Sequence, residues 1–347
     1  MILLQFFLML LLFLPSAYGA AGTEAASFLD IPFGAGPASL GSAYTALAKD
    51  AYAPVWNPAG LAHLETAEFA GTHLSYLQSM HYEQMSGGIP LGENKHQGLG
   101  TSIQYLGSGN IDGRTESGEK ASDFSATFGA YGLSYGTQWS PALSVGSTIK
   151  LISEKIADAS AKSFAADFGL LYDYEKKATL GVTLLNLGSD IKFVNEADPL
   201  PTTLHVGGVY HLGDTIDMGA EGSYRRNKTG ALSIGGQYNY EDKGTFRVGY
   251  NTSHIKELSV LSGFTGGLSI YFWGQELAYA WVPFGSLGQT HYFTLVLRWS
   301  QKPRATQPKA KDDQMDIDKT DGDLSDYKNL YNVLTDEERN QLHHEKK

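Results

Sequence analysis

The chain carries ten histidines. The arrangements nearest to a catalytic or metal-binding pattern are His343-His344, close to the C-terminus, and His205 with His211 on one face of a strand-like run. A single adjacent pair is weak evidence for a metal, because structural and catalytic centres gather three or four converging ligands. His205 and His211 have no carboxylate cluster beside them in sequence and no G-x-S-x-G nucleophile motif. Asp167 lies among alternating residues and reads as a hydrogen-bonding group on a strand rather than as an acid catalyst. These residue types describe a protein that is not an enzyme and takes no cofactor or metal. A net charge of −11 with no basic stripe argues against nucleic acid as a partner. What remains is electrostatic chemistry. Asp50 sits in a segment rich in small residues, and Lys150, Arg247 and Arg298 are the candidate cations that would pair with it and pin that segment down.

That segment is the most distinctive part of the chain. It runs through Ser27-Phe28-Leu29-Asp30-Ile31-Pro32-Phe33-Gly34-Ala35-Gly36 and Gly41-Ser42-Ala43-Tyr44-Thr45-Ala46-Leu47-Ala48-Lys49-Asp50 to Val55-Trp56-Asn57-Pro58-Ala59-Gly60-Leu61. Asn57-Pro58 initiates a turn. The Asn57 amide can satisfy buried backbone groups, and Ala59-Gly60 followed by Leu61 permits close approach to a neighbouring wall. The stretch is too short, and too rich in Gly, Ala and Pro, to bury a core by itself, so a larger object must hold it.

The larger object follows from composition and period. Residues 1–20 read as a signal peptide: a Leu/Phe/Met/Ile run, then small residues that allow cleavage after Gly19 or Ala20, although Lys49 is the first Lys or Arg in the chain. The apolar run falls short of the ~20 residues that span a bilayer as a helix. There is no Cys, so disulfides play no part. Glycine contributes 40 of 347 residues, well above the usual ~7%, and 20 residues are Tyr. Only 18% are charged, yet mean hydropathy is −0.22. A chain that is apolar at every second residue has this profile, as transmembrane β-barrels do.

Alternation is visible segment by segment. Leu143, Val145, Ile149 and Leu151 oppose Ser144, Gly146, Thr148 and Lys150; Phe293, Leu295, Leu297 and Trp299 oppose Tyr292, Thr294, Val296 and Arg298. About fourteen strands are expected, near 67–79, 81–90, 96–107, 123–137, 142–153, 163–174, 177–187, 202–213, 215–226, 229–240, 244–251, 260–272, 275–283 and 289–299. Longer polar loops at 108–122, 154–162, 188–201 and 252–259 alternate with tight turns, the layout of an outer-membrane barrel. Aromatics at Tyr271, Phe272, Trp273, Tyr279, Trp281, Phe284, Tyr292 and Trp299 fall at strand ends, where interfacial girdles sit. Alternating glycines suit a crowded lumen.

The expected fold class is therefore all-β: a transmembrane antiparallel barrel of about fourteen strands with an N-terminal plug in its lumen. The chain divides into a signal peptide (1–20), a plug or hatch (21–65), the barrel (66–300) and an acidic tail (301–347) that is partly disordered with a short helix. An even strand count puts both ends of the barrel on one side, so both mature termini are expected in the periplasm, with outer-membrane lipid around the wall.

The run from Ala26-Ser27-Phe28-Leu29 to Asn57-Pro58-Ala59-Gly60-Leu61 resembles the N-terminal signature of the PorV/PorQ family of bacterial outer-membrane proteins, relatives of the FadL long-chain fatty acid channels. The likeness continues at Ala165-Ala166-Asp167-Phe168-Gly169, Asn186-Leu187-Gly188 and Leu200-Pro201-Thr202-Thr203-Leu204, and covers roughly residues 26–300. After Gly34-Ala35 the chain has Gly36, where such proteins commonly carry Arg. The resemblance implies a hatch built on Asp50, Asn57, Pro58, Ala59, Gly60 and Leu61. It leaves two functions open: work with secretion-system or exported proteins, as in type IX secretion, and a FadL-like channel for small hydrophobic ligands with lateral release.

Overall fold

Among the described residues, the period-two pattern after residue 67 resolves into sixteen strands: β1 (Glu68–Ser75), β2 (His81–Leu91), β3 (Gln97–Gly107), β4 (Ala126–Ser140), β5 (Leu143–Ile156), β6 (Ala159–Tyr174), β7 (Ala178–Gly188), β8 (Ile191–Phe193), β9 (Glu196–Asp198), β10 (Thr203–Leu212), β11 (Ile216–Arg225), β12 (Ala231–Tyr240), β13 (Gly244–Asn251), β14 (Phe264–Phe272), β15 (Gln275–Pro283) and β16 (Gln289–Arg298). The computed structural model describes residues 24–76, 80–92, 96–115, 117–175, 177–193, 196–225, 230–255, 260–284 and 288–299. The signal peptide and the acidic tail read from the sequence lie outside these residues. Fourteen strands form a closed barrel in which each pairs antiparallel with its sequence neighbours, and β16 closes on β1. β8 and β9 make a separate hairpin inserted between β7 and β10. No helix among the described residues is long and apolar enough to cross a membrane.

The wall turns its apolar side outward. Leu133, Ile149, Phe164, Val248 and Phe293 are more than half exposed, while their neighbours Ser134, Thr148, Lys150 and Thr294 are buried facing in. This reverses the arrangement of a soluble β-protein and matches a barrel meant for lipid. One rim carries the short turns 141–142, 213–215, 241–243 and 273–274, and there β1 begins and β16 ends. The other carries the long connections 108–125, 189–202 and 252–263. Trp139, Tyr174, Tyr240, Trp273 and Trp299 stand exposed around the short-turn rim, Trp273 at 94%.

Four sequence expectations are corrected. Residues 154–162 are not a long loop: β5 and β6 run on to a two-residue turn at 157–158, with Ala157 at φ 52. Their polar residues mimic a loop because half of them face the lumen. The connection 188–201 holds the β8–β9 hairpin, whose Ile191 is fully buried. Val260–Gly263 is a 3-10 turn, so β14 starts only at Phe264. Tyr292 is no girdle residue; it points inward and is fully buried.

Ile149 on β5 tests which medium the wall faces. Ile149→Arg is expected to cost about 2–4 kcal/mol if that position lies near the bilayer midplane. Folding yield in lipid vesicles, followed by heat-modifiable gel mobility, measures this; a change within about 0.5 kcal/mol would be that of an ordinary water-exposed site.

Candidate functional site

The lumen is occupied by the N-terminal segment. Its small residues and prolines allow only brief helical turns: Ser27–Asp30, Ala35–Ser39, Ala53–Trp56 and Pro58–His63. Turns this short leave most of their backbone groups without internal partners, and inward side chains of the wall supply them. Gln84 of β2 accepts from the Gly34 N–H (2.8 Å) and donates to the Pro32 carbonyl (3.0 Å). Thr294 of β16 accepts from the Ala35 N–H at 3.0 Å. Glu221 of β11 accepts from both Tyr44 and Thr45 (3.1 and 2.9 Å). Glu68 of β1 accepts from the Ala51 N–H at 3.1 Å, and Ser86 of β2 donates to the Ala51 carbonyl at 2.6 Å. Asn251 of β13 donates to the Gly41 carbonyl at 2.9 Å. These partners lie on the arc of the wall from β2 through β1 and β16 to β11.

Close approach depends on glycines of the wall. Gly98, Gly136, Gly146 and Gly169 are cross-strand neighbours on β3 to β6. A Cβ on Gly146 would lie 2.3 Å from the Pro58 carbonyl carbon, one on Gly136 2.3 Å from the Pro58 oxygen, and one on Gly98 2.3 Å from the Leu61 oxygen. On the far side, a Cβ on Gly249 would lie 2.2 Å from the Gly41 nitrogen. Backbone therefore packs on backbone, which no larger residue allows.

The Asn57–Leu61 motif sits at the contacts on β3 to β6. Asn57 is fully buried; its Nδ2 donates to the Thr45 and Leu170 carbonyls (2.9 and 3.0 Å), and its Oδ1 accepts from the Ala59 N–H at 3.2 Å. One side chain thus ties two parts of the segment to β6. Pro58 lies against the glycines of β4 and β5, and Ala59 and Leu61 are fully buried. Gly60 admits no side chain, since a Cβ there would lie 1.6 Å from the Ala48 oxygen.

Asp50 makes different contacts from those expected. Its Oδ2 accepts from the Tyr44 hydroxyl at 2.5 Å and its Oδ1 from the Tyr52 N–H at 3.0 Å. Lys150, Arg247 and Arg298 do point into the lumen, but each pairs with a carboxylate of the wall. Lys150 pairs with Asp167 at 2.7 Å and donates to Asn186 at 2.9 Å. Arg247 and Arg298 share Glu276 (3.3 and 2.9 Å), and Arg298 also faces Glu68 at 3.4 Å. Asp50 takes its hydrogen bonds from Tyr44 and Tyr52, and Arg298, one of the three expected cations, also acts on it electrostatically.

Sequence reasoning missed Glu68, Gln84, Glu221 and Glu276. Their one signal is parity: each is a polar residue at an inward position of a strand. His205 and His211 face inward as well, and each has a single carboxylate from the neighbouring strand, Glu221 at 2.7 Å and Asp217 at 2.6 Å. Neither set assembles a nucleophile. At the short-turn mouth Lys49 pairs with Asp173 at 2.5 Å. His63 Nε2 lies there, 3.0 Å from Ser144 Oγ and 3.9 Å from Asp173. Burial and then Lys49 push the His63 pKa down to about 4 against the pull of Asp173, so the ring is neutral at pH 7.

The segment starts at the other end. Arg225, the last residue of β11, pairs with Glu24 (2.7 Å) and with Asp30. The Ala25 N–H donates to the Pro199 carbonyl and the Ala26 N–H to Glu154. Glu24 and Arg298 thus lie at opposite rims, while the two ends of the mature chain lie outside the described residues.

Two substitutions separate the roles of these contacts. Asn57→Ala leaves two carbonyls and one N–H unpaired and is expected to lower stability by about 1–3 kcal/mol, read as a lower urea midpoint in detergent. Gly146→Val places atoms where Pro58 now lies, and is expected to displace the segment while the outward face is unaltered. Limited proteolysis should then cut within residues 24–65 of the variant and spare the parent; equal resistance would refute the steric role.

An uncharacterised protein family, UPF0164, has a model that matches residues 19–171. No curated protein sequence matches the chain. Among solved structures, the monoaromatic hydrocarbon channel CymD is similar with a TM-score of 0.52, at 14% identity over 77% of this chain and 96% of that one. A deletion mutant of the monoaromatic hydrocarbon channel TodX gives 0.50, at 13% identity over 73% of this chain and 97% of the other. A FadL homologue of Pseudomonas aeruginosa gives 0.49, at 12% identity, covering 81% of this chain and 99% of that one. At these identities the first two likenesses are of fold alone: a closed barrel built like that of a channel.

Proposed function

We propose that this protein is an outer-membrane barrel that passes small hydrophobic solutes, with residues 24–65 as the hatch that occupies its lumen. The observation that carries the reading is the polarity of the interior, which differs between its two ends. Toward the short-turn rim the lumen is charged, with Glu68, Arg247, Glu276 and Arg298. Toward the long-loop rim, beside the Arg225 ion pairs, it holds an apolar cluster: Leu74, Tyr82, Leu106, Ile152, Val282 and Tyr292 point inward around Phe28. A water-filled porin keeps a polar interior, so an inward apolar cluster supports passage of an apolar cargo. The Tyr292 hydroxyl is buried there with no hydrogen-bond partner. An unmet polar group costs about 1–3 kcal/mol, and a bound molecule with one acceptor would remove that cost. Outward aliphatic residues and the aromatic rim support a lipid surround.

The export role, which the PorV/PorQ resemblance puts forward, depends on long loops and on a tail that lies outside the described residues. Uptake of radiolabelled toluene by cells with and without the protein separates the two. The channel reading expects faster uptake with the parent chain and a return to background with Ile152→Arg, which places a charge in the cluster. Uptake that is equal in all three strains, together with loss of a set of surface proteins on deletion, would overturn the channel in favour of export.

A further inference from the structure

Outward positions near the long-loop rim are mostly apolar or aromatic, with departures at Lys155 and Lys162 on β5 and β6 and, as a group of histidines, at the seam where the barrel closes. In the row formed by the last pairs of β16, β1 and β2, His291 faces Ser75 and Ser75 faces His81. In the next row Phe293 faces His73, and His73 faces Glu83. Their inward neighbours Leu74, Tyr82 and Tyr292 are fully buried, so His73, His81 and His291 share the outer surface. The rings of His73 and His81 stack with centroids 6.1 Å apart.

Two of the imidazoles are oriented by neighbours. His73 Nδ1 lies 2.7 Å from Glu83 Oε1, and His291 Nδ1 lies 2.8 Å from the Tyr279 hydroxyl. With Nδ1 engaged, Nε2 is the nitrogen left to face outward in each, which is how proteins commonly aim an imidazole at a ligand. No group of three or more metal-ligating side chains is found among the described residues. Trp281 stands in register with His291 on β15, and its indole N–H donates to Gln289 at 2.7 Å. A tryptophan with its polar edge engaged and its ring facing out marks the level of lipid headgroups.

We propose that His73, His81 and His291 form an outward-facing site for the phosphate of an anionic lipid headgroup, held at the barrel seam. The inference rests on the outer-membrane reading above. His291, whose Nδ1 faces a hydroxyl, and His81 can donate a ring N–H to phosphate oxygens. His73, whose Nδ1–H goes to Glu83, donates through Nε2 only as the protonated ring. A lipid whose chains lie along Phe293 and Leu295 would bring its headgroup to this row. The commitment is to a lipid, because the site opens sideways from the wall rather than into the lumen or the loops.

The test is native mass spectrometry of the barrel released from vesicles of mixed phosphatidylglycerol and phosphatidylcholine. The parent is expected to keep phosphatidylglycerol preferentially, and H73Q/H81Q/H291Q to keep about fivefold less, the change for roughly 1 kcal/mol. Heat-modifiable mobility checks that the variant is folded, and Trp273→Gln at the opposite rim, expected to keep the preference, serves as control. Equal retention by parent and triple variant overturns the site, as does full displacement of the lipid by inorganic phosphate. Failure of the parent to enter vesicles at all overturns the outer-membrane reading itself; insertion without lipid preference overturns the seam site alone.

Discussion

Everything in the interior depends on the absence of side chains at one level of the wall. Where the N-terminal segment crosses β3 to β6, four cross-strand glycines leave room for a second backbone at contact distance. Glycine in a strand is costly for the sheet, by roughly 0.5–1 kcal/mol relative to Ala at each position. That cost is offset here by the burial of about forty residues that could not fold on their own. With ordinary side chains at those positions, the lumen would have no space for the segment.

Close approach then creates an accounting demand, because buried peptide groups must find partners. The wall meets it with Gln, Thr, Ser and Glu side chains that bind the segment's N–H and carbonyl groups rather than its side chains. This mode of holding places few requirements on side-chain identity, which fits a segment made largely of Ala and Gly. The charged residues of the lumen balance one another: Glu276 serves two arginines and Asp167 serves Lys150. Removing one member of such a set would leave a buried charge uncompensated, at about 3–5 kcal/mol. Some charges balance within the wall, while ion pairs at both ends (Lys49 with Asp173, Arg225 with Glu24) join the hydrogen bonds and the steric fit in holding the segment.

Much of this architecture was legible from residue order. Strand positions emerged because the two faces of each strand differ so sharply in polarity, and the presence of a small-residue segment needing a container followed from its length. The failures have one physical origin. A barrel lined with polar groups inverts the usual association of polarity with loops, so Glu154 and Lys162, one inward and one outward, were read as connection rather than strand. The same inversion hid Glu68, Gln84, Glu221 and Glu276, whose importance lies in contacts with backbone far away in sequence. Asp50 was legible in part: charge complementarity names three cations, of which Arg298 does act on it, while the hydrogen bonds from Tyr44 and Tyr52 depend on a turn that residue type alone does not reveal.

The opposite placement of Glu24 and Arg298 has a consequence for the order of assembly. Between them the polypeptide descends the full depth of the cylinder before its first strand begins. Drawing it through a finished ring would carry Glu24 and Asp30 through an interior where Gly98, Gly136 and Gly146 leave no room for a further atom. Strands that close around a thread already laid along their inner surface avoid that passage, and the same forty residues would then serve as both filling and form.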